Sequence, residues 1–126
     1  MEIKKVSTEN APAAIGPYSQ AIVVGDMVFT SGQIPINPAS GSVETTTIQA
    51  QATQVMENLG AVLKAAGSDY SQAVKTTCFL ANMEDFAAFN EVYAKYFTTK
   101  PARSCVAVKT LPKNVLVEVE VIALVK

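Results

Sequence analysis

Residues Thr46 to Gly67, which read TTIQAQATQVMENLGAVLKAAG, give the clearest secondary-structure signal in the chain. Its apolar residues recur at intervals of three and four, which is the period of an amphipathic helix: Ile48, Ala52, Val55, Met56, Leu59, Val62, Leu63 and Ala66. Thr46, with Gln49 three residues later, is a capping box, and Gly67 is a typical helix stop. We therefore expect a helix over residues 46–66.

Short strands are predicted on both sides of this helix. Residues 21–24 and 27–31 are β-prone runs, and Gly25-Asp26 between them is a two-residue hairpin signal with glycine at its first position. Residues 35–41 are rich in turn-forming residues and predict a loop. Residues 72–80 alternate and contain β-branched residues, which predicts another strand.

A second helix and two further strands complete the chain. Asn82 is a candidate N-cap for a helix over about residues 84–97, which carries an aromatic stripe: Phe86, Phe89, Tyr93 and Phe97. Residues 104–108 and 115–125 predict the last two strands, which we expect to pair as a hairpin.

Helices that lie between strands imply two parallel crossover connections. The order of elements predicts an α+β sandwich, a mixed sheet carrying two helices, in one domain spanning residues 1–126. If both helices cover one face, the opposite face is bare. On the last strand that face carries Leu116, Ile122 and Leu124, and association of identical chains would cover them.

The composition excludes several classes of function. The 126 residues include no His and carry a net charge of −1, which excludes a Ser-His-Asp triad, a Cys-His pair and the common His-containing zinc sites. Cys78 and Cys105 form no metal-binding motif, and free thiols fit a reducing compartment, so we expect a cytoplasmic protein without metal or cofactor. We find neither a signal peptide nor a membrane-spanning segment, and the charge makes nucleic-acid binding an unfavoured function.

The last strand places two carboxylates on one face. Glu118 and Glu120 are two positions apart, which separates them by about 6.5–7 Å along a strand. Arg103, which the hairpin expectation places on the neighbouring strand, is the candidate cation. One interpretation is a solvated cross-strand ion pair. The other is a guanidinium that binds a small carboxylate in bidentate fashion, beside an acid and the Cys105 thiol.

Three further positions admit both a structural and a functional interpretation. Asn90 lies on the apolar stripe of the second helix, either bonded to a sheet carbonyl or pointing into a site. Ser31-Gly32 ends a strand and is either a turn or part of a pocket. Tyr18 follows Gly16-Pro17 as a packed loop aromatic or a pocket residue. Without a His to activate it, Cys105 is a poor candidate nucleophile.

Five segments together resemble the Rid family (reactive intermediate deaminase, the older YjgF group), in its RidA branch. They are residues 8–18 (TENAPAAIGPY), 30–35 (TSGQIP), 74–77 (VKTT), 101–106 (PARSCV) and 117–120 (VEVE). The resemblance implies a chorismate-mutase-like sandwich with two helices on one face of a mixed sheet. It also implies a homotrimer with sites in the clefts between subunits.

The resemblance further implies hydrolysis of 2-imino acids and their 2-enamino tautomers, such as 2-iminobutanoate and 2-iminopropanoate, to 2-oxo acids and ammonia. Pyridoxal-phosphate enzymes release these intermediates, so the role is one of metabolite damage control, and no cofactor is needed. The family's carboxylate-binding arginine falls on Arg103, its acid on Glu118 rather than Glu120, and its thiol on Cys105. The remaining pocket positions are Tyr18, Ser31, Gly32 and Asn90.

The chain departs from the family in one loop, and two other functions stay open. Only Thr98-Thr99-Lys100 separate the second helix from Pro101, where the family usually has more residues, which we expect to alter the entrance and the substrate range. The alternatives are a ribonuclease, which the charge and the lack of His disfavour, and a small-carboxylate-binding regulatory or chaperone-like protein without turnover.

Overall fold

The computed structural model describes all 126 residues as eight strands and two α-helices. In chain order they are β1 (Ile3–Val6), β2 (Ala21–Val24), β3 (Met27–Thr30), β4 (Ile36–Asn37), β5 (Ser42–Val43), α1 (Ile48–Ala65), β6 (Ala73–Leu80), α2 (Phe86–Tyr96), β7 (Ala102–Ala107) and β8 (Val117–Leu124). Short 3₁₀ turns precede β6, α2 and β8. The expected α+β architecture is confirmed, while β1 and the small β4–β5 hairpin were not predicted.

Six strands form one mixed sheet in the order β1-β2-β3-β8-β6-β7. Only β6 and β7 run parallel, joined through α2, and every other neighbouring pair is antiparallel. The expected hairpin of the last two strands is therefore wrong, because β6 lies between β7 and β8. A central position for β8 buries its apolar face completely, and the long connection 108–116 lets the chain pass over β6 to reach it.

The turn after β2 and the end of α1 lie where the sequence predicted them, and the N-cap of α1 lies one residue later than predicted. Gly25 adopts φ +57° in the two-residue turn between β2 and β3, where Val24 pairs with Met27. Gly67, with φ +84°, follows the end of α1. The N-cap of α1 is Thr47 rather than Thr46, and its hydroxyl accepts a hydrogen bond from the Ala50 amide at 3.2 Å.

Both helices pack on one face of the sheet around a core of 21 buried residues. The central strand contributes its whole inner face to that core: Val117, Val119, Val121 and Ala123. On the opposite face, Phe29, Val106 and Leu124 remain 41–46% exposed. The structure thus confirms that the chain by itself leaves one sheet face uncovered.

A bulge interrupts the pairing of β3 with β8. Phe29 pairs with Ile122, and the next bridge joins Gln33 to Val119, so the β3 side holds one residue more than the β8 side. The Val121 amide donates to the Thr30 hydroxyl at 3.0 Å instead of to a backbone carbonyl. Such bulges redirect side chains, and this one brings Gly32 over the Glu118 side chain.

Candidate functional site

Six of the seven predicted site residues fall into two groups that open on different parts of the surface. Tyr18, Ser31, Gly32 and Glu118 line a cavity of about 460 Å³, here called the Glu118 cavity. Asn90 and Arg103 line a second cavity of about 320 Å³, here called the Arg103 cleft. Cys105 lies on β7 two residues beyond Arg103 and lines neither.

The two groups lie on opposite faces of the sheet. Arg103 is in register with Thr76 of β6, whose side chain is buried under the helices. Glu118 is in register with Phe79 and alternates with the buried Val117 and Val119, so it points to the bare face. The expected ion pair between Arg103 and the two acids of β8 is therefore wrong. Strand β6 lies between β7 and β8, and Arg103 and the two acids point to opposite faces of the sheet.

The Arg103 guanidinium is held in a defined position by α2. Its Nη1 donates to Asn90 Oδ1 at 2.7 Å. Its Cζ lies 4.7 Å from the ring centre of Tyr93 and 5.4 Å from that of Phe86, within the range of cation–π attraction. Asn90 thus bonds a side chain rather than the sheet carbonyl that its structural interpretation expected. Asn82 positions the start of this helical segment, since its side chain accepts from the Glu84 amide.

A hydrogen bond to the sheet holds the Tyr93 ring in place. Its hydroxyl shares a 2.7 Å hydrogen bond with Thr76, which is fully buried on β6. Sequence periodicity assigned Tyr93 to the core stripe and did not indicate that it supports Arg103. The remaining residues that line the cleft come from the end of α2 and from the loop before β7: Ala94, Phe97, Thr98, Lys100 and Pro101.

The shortened loop before Pro101 turns sharply at the edge of this cleft. Lys100 adopts φ +57°, which is uncommon for a residue with a side chain. Its amide donates to the Phe97 carbonyl at 3.3 Å, so the loop closes directly on the end of α2. The shortened loop thus lines the Arg103 cleft, and its effect on the entrance and the substrate range stays a prediction.

In the Glu118 cavity, the carboxylate lies directly against the backbone of Gly32. A Cβ atom added to Gly32 would lie 2.2 Å from Glu118 Oε2 and 2.8 Å from its Cδ. A side chain at position 32 would therefore displace the Glu118 carboxylate, and the constraint comes from this close approach rather than from the backbone conformation of Gly32. The close contact follows from the bulge, which sequence periodicity did not reveal.

Glu118 is half-buried and forms neither an ion pair nor a side-chain hydrogen bond within the chain. Burial, and secondly the charge of Glu120, raise the pKa of its carboxyl group above the usual value. A carboxyl group with a raised pKa and free oxygen atoms is suited to exchange protons with a ligand or a water molecule.

Two buried amide side chains, which the sequence did not single out, hydrogen-bond to the loops that line the Glu118 cavity. The buried Gln20 accepts from the Thr8 amide at 2.7 Å and donates to the Pro12 carbonyl at 2.7 Å, which fixes the N-terminal loop. From α1, the buried Asn58 donates to the carbonyls of Ile34 and Ile36 at 3.1 and 3.0 Å. Both amides are buried and hydrogen-bonded to the backbone, and that pattern becomes visible only once burial is known.

The predicted residues of the N-terminal half have different exposures and roles. The Ser31 hydroxyl donates to the Ser19 carbonyl at 2.6 Å and so ties the loop that bears Tyr18 to the end of β3. The Tyr18 side chain is 51% exposed and borders the cavity mouth. The loop on the other side of the mouth contains Lys113 and Asn114, both at positive φ of 54–56°. Such backbone conformations concentrate at ligand sites.

Two further findings concern metals and membranes. The structure brings no three His, Cys, Asp or Glu side chains together in a way that could hold a metal ion. Neither helix combines the length and the apolar character needed to cross a bilayer.

Residues 8–125 match the sequence profile of the family described as Endoribonuclease L-PSP. A RutC family protein of Pyrococcus horikoshii is 52% identical over 94% of each chain. The 2-iminobutanoate/2-iminopropanoate deaminase of Escherichia coli K12 is 50% identical, over 95% of this chain and 96% of its own. The crystal structure of E. coli TdcF with bound serine superposes with a TM-score of 0.93 at 44% identity, covering 98% of this chain and 99% of TdcF.

Proposed function

Because the chain belongs to the endoribonuclease L-PSP family, which is the Rid or YjgF family, we propose that it is a cytoplasmic hydrolase that converts 2-imino acids and 2-enamino acids into 2-oxo acids and ammonia. Relatives about 50% identical over nearly the whole chain carry the name of this activity. The proposed substrates are 2-iminobutanoate and 2-iminopropanoate, which pyridoxal-phosphate enzymes release. The two free cysteines agree with a reducing compartment.

The observation that carries the proposal is the preorganised state of Arg103. Only one of its nitrogen atoms, Nη1, has a protein acceptor, and two aromatic rings hold the guanidinium in place. Its other N–H donors are free for a ligand in the open cleft. A planar fork of donors fits a carboxylate in bidentate fashion, and every 2-imino acid carries a carboxylate next to its reactive carbon.

Glu118 supplies the complementary chemistry. Hydrolysis adds water to the C=N carbon, and the nitrogen must gain protons before it leaves as ammonia. A carboxylate accepts a proton from the attacking water, and the same carboxyl group returns it to the nitrogen. With its raised pKa and without protein partners, Glu118 is suited to both transfers. The reaction is balanced: one imino acid and one water give one oxo acid and one ammonia.

We propose that one active site combines the Arg103 cleft of one chain with the Glu118 cavity of another in a homotrimer. The two groups cannot meet within one chain, because they lie on opposite faces of the sheet. Arg103 lies on β7, the edge strand, which has a free side, and the bare face that holds Glu118 carries exposed apolar residues. Contact between these two surfaces would cover the bare face and complete the site.

Ammonia release from an imino acid tests the function. A threonine dehydratase generates 2-iminobutanoate in situ, and the protein should accelerate formation of ammonia and 2-oxobutanoate. Arg103→Ala should abolish the acceleration and remain folded. The matched control is Lys4→Ala, which removes an exposed cation from β1 at the opposite edge of the sheet and should retain full activity. Full activity of Arg103→Ala would contradict the carboxylate-binding role.

Mixing two variants that have each lost most of their activity tests the shared site. Arg103→Ala and Glu118→Gln chains are unfolded together and refolded at equal concentration. In random trimers, about three quarters contain both chains, and each of these holds one intact site of its three, so about a quarter of wild-type activity should return. Unmixed variants serve as controls. A mixture as inactive as its components would contradict a site built from both residues on different chains.

A second candidate function is binding of a small amino or oxo acid without turnover. The TdcF structure, which contains serine, favours it. The same Arg103 clamp would hold such a ligand, and Glu118 would then contribute charge but no proton transfer. Calorimetric binding of 2-oxobutanoate by a protein that fails to accelerate imine hydrolysis would establish this candidate in place of the deaminase.

A further inference from the structure

The two cysteines of the chain lie side by side in the sheet. Cys78 of β6 and Cys105 of β7 are direct partners in the parallel register. In a parallel pair, partners point to the same face, and Cys78 is buried under the helices, so both thiols lie on the helix-covered face. Adjacent strands are about 4.8 Å apart, which falls within the Cα separation of about 4.4–6.8 Å that a disulfide requires.

We propose that Cys78 and Cys105 are a peroxide-sensitive dithiol that closes to an intrachain disulfide and reopens on reduction. Neither thiol is disulfide-bonded in the structure. The proposal goes beyond the deaminase function and does not depend on it, because the bond itself is measured by mass. Intracellular disulfides are usually transient ones of this kind.

The two thiols differ in exposure, and this difference indicates which of them is oxidised first. Cys105 is half-buried and lies two residues from Arg103 on the same strand face, whereas Cys78 is fully buried. Burial raises the pKa of both thiols, to about 12 for Cys78, and the Arg103 charge partly offsets this effect at Cys105. Because Cys105 is the more accessible of the two sulfurs, it is the thiol that meets the oxidant, and the buried Cys78 is the one that resolves the product.

The proposed chemistry has two balanced steps. The Cys105 sulfur attacks one oxygen of hydrogen peroxide, the O–O bond breaks, and a sulfenic acid and one water form. The Cys78 sulfur then attacks the Cys105 sulfur, the S–O bond breaks, and a disulfide and a second water form. The peroxide is reduced, and the two thiols are oxidised by two electrons.

The bond has a structural consequence for Arg103. The commonest Cα separation in a disulfide, about 5.5–6 Å, is wider than the strand spacing of about 4.8 Å, so closure should shift β7 away from β6, and β7 is free to move because it is an edge strand with one neighbour. Arg103 lies on the same face two residues away, and its placement over Tyr93 depends on the position of β7. A displacement of about 1 Å at such a group can cost about a hundredfold in rate, so oxidation should inactivate the protein reversibly.

The test treats the wild-type protein with hydrogen peroxide, quenches it and measures the intact mass under non-reducing, denaturing conditions. The expected product is lighter than the reduced chain by two hydrogen atoms, cannot be alkylated, and returns to the starting mass with dithiothreitol. Cys78→Val, with Cys78→Ala as a second variant, should retain basal activity and should instead gain oxygen at Cys105. If imine hydrolysis is the activity, it should fall and recover with the disulfide.

Three outcomes would overturn the proposal. They are a wild-type chain that gains oxygen without losing hydrogen, one in which both thiols remain alkylatable after excess peroxide, and a disulfide that joins two chains. Failure of the deaminase assay would leave the mass measurement unaffected, so the two proposals fail separately.

Discussion

Replacing Gly32 with alanine changes the distance between the backbone and the Glu118 carboxylate. The new Cβ would lie 2.2 Å from Oε2, and ordinary contact begins at 3.4 Å, so the oxygen must move by about 1.2 Å. Displacement of a catalytic group by about 1 Å can cost about a hundredfold. We therefore expect kcat/KM for imine hydrolysis to fall about a hundredfold, which corresponds to about 2.7 kcal/mol.

The same substitution should leave stability intact. Glu118 has no hydrogen bond within the chain to lose, and Gly32 does not adopt positive φ, so alanine fits its backbone. Gly41→Ala is the matched control. Its φ of +73° strains alanine, while no atom lies within 4 Å of the added Cβ. That variant should lose about 1 kcal/mol of stability and retain activity.

A double-mutant cycle identifies the route of the effect. If Gly32→Ala acts by moving Glu118, it should cost almost nothing further in a Glu118→Gln background. Activity is measured with the dehydratase-coupled assay and stability by urea unfolding. Two results would contradict an effect through Glu118: wild-type activity of Gly32→Ala, or a full hundredfold loss that persists in the Glu118→Gln background.

Three further predictions concern Asn90, Glu120 and the surface ion pair of Asp69 with Lys126. Asn90→Ala removes the 2.7 Å acceptor of the guanidinium and should lower kcat/KM about tenfold, mainly through KM, as steady-state kinetics will show. Glu120→Gln removes a charge that raises the pKa of Glu118, so the acid limb of the pH–rate profile should shift to lower pH; an unchanged profile would exclude this coupling. Asp69 pairs with Lys126 and has its pKa lowered from 3.8 to about 2, chiefly by that bond. A carboxylate with a lowered pKa stabilises the fold above its unfolded pKa, so the melting temperatures of wild type and Lys126→Ala should differ near neutral pH and converge as pH falls through about 2; a gap that persists there would contradict the assignment.

Local signals predicted the secondary structure well because they act within a few residues. The periodicity of α1 and the Gly25-Asp26 turn depend on neighbours in the chain, and both appear in the structure. Asn82 caps the 3₁₀ turn Met83–Asp85 that leads into α2, whereas α2 itself begins at Phe86. The N-cap of α1 moved from Thr46 to Thr47 because three consecutive threonines, Thr45 to Thr47, offer a capping hydroxyl and local propensity does not rank them.

Non-local pairing was the part that the sequence left undetermined. Alternation along β8 correctly placed Glu118 and Glu120 on one face, and alternation along β7 placed Arg103 with Cys105. It did not reveal that β6 lies between these strands. Backbone hydrogen-bonding edges are alike in all strands, so alternation assigns faces within a strand without identifying its neighbour.

The order of the residues establishes the helices and most of the strands, the charged and polar side chains available for chemistry, and the faces of individual strands. The places where those side chains meet depend on strand order and packing. The strand order placed Arg103 and Glu118 on opposite faces, one bulge brought Gly32 against the Glu118 carboxylate, and the packing of α2 turned Asn90 toward Arg103. These contacts depend on the burial of β8 at the centre of the sheet. The free energy of that burial comes from packing among residues of the whole core, so no single segment of the sequence contains it.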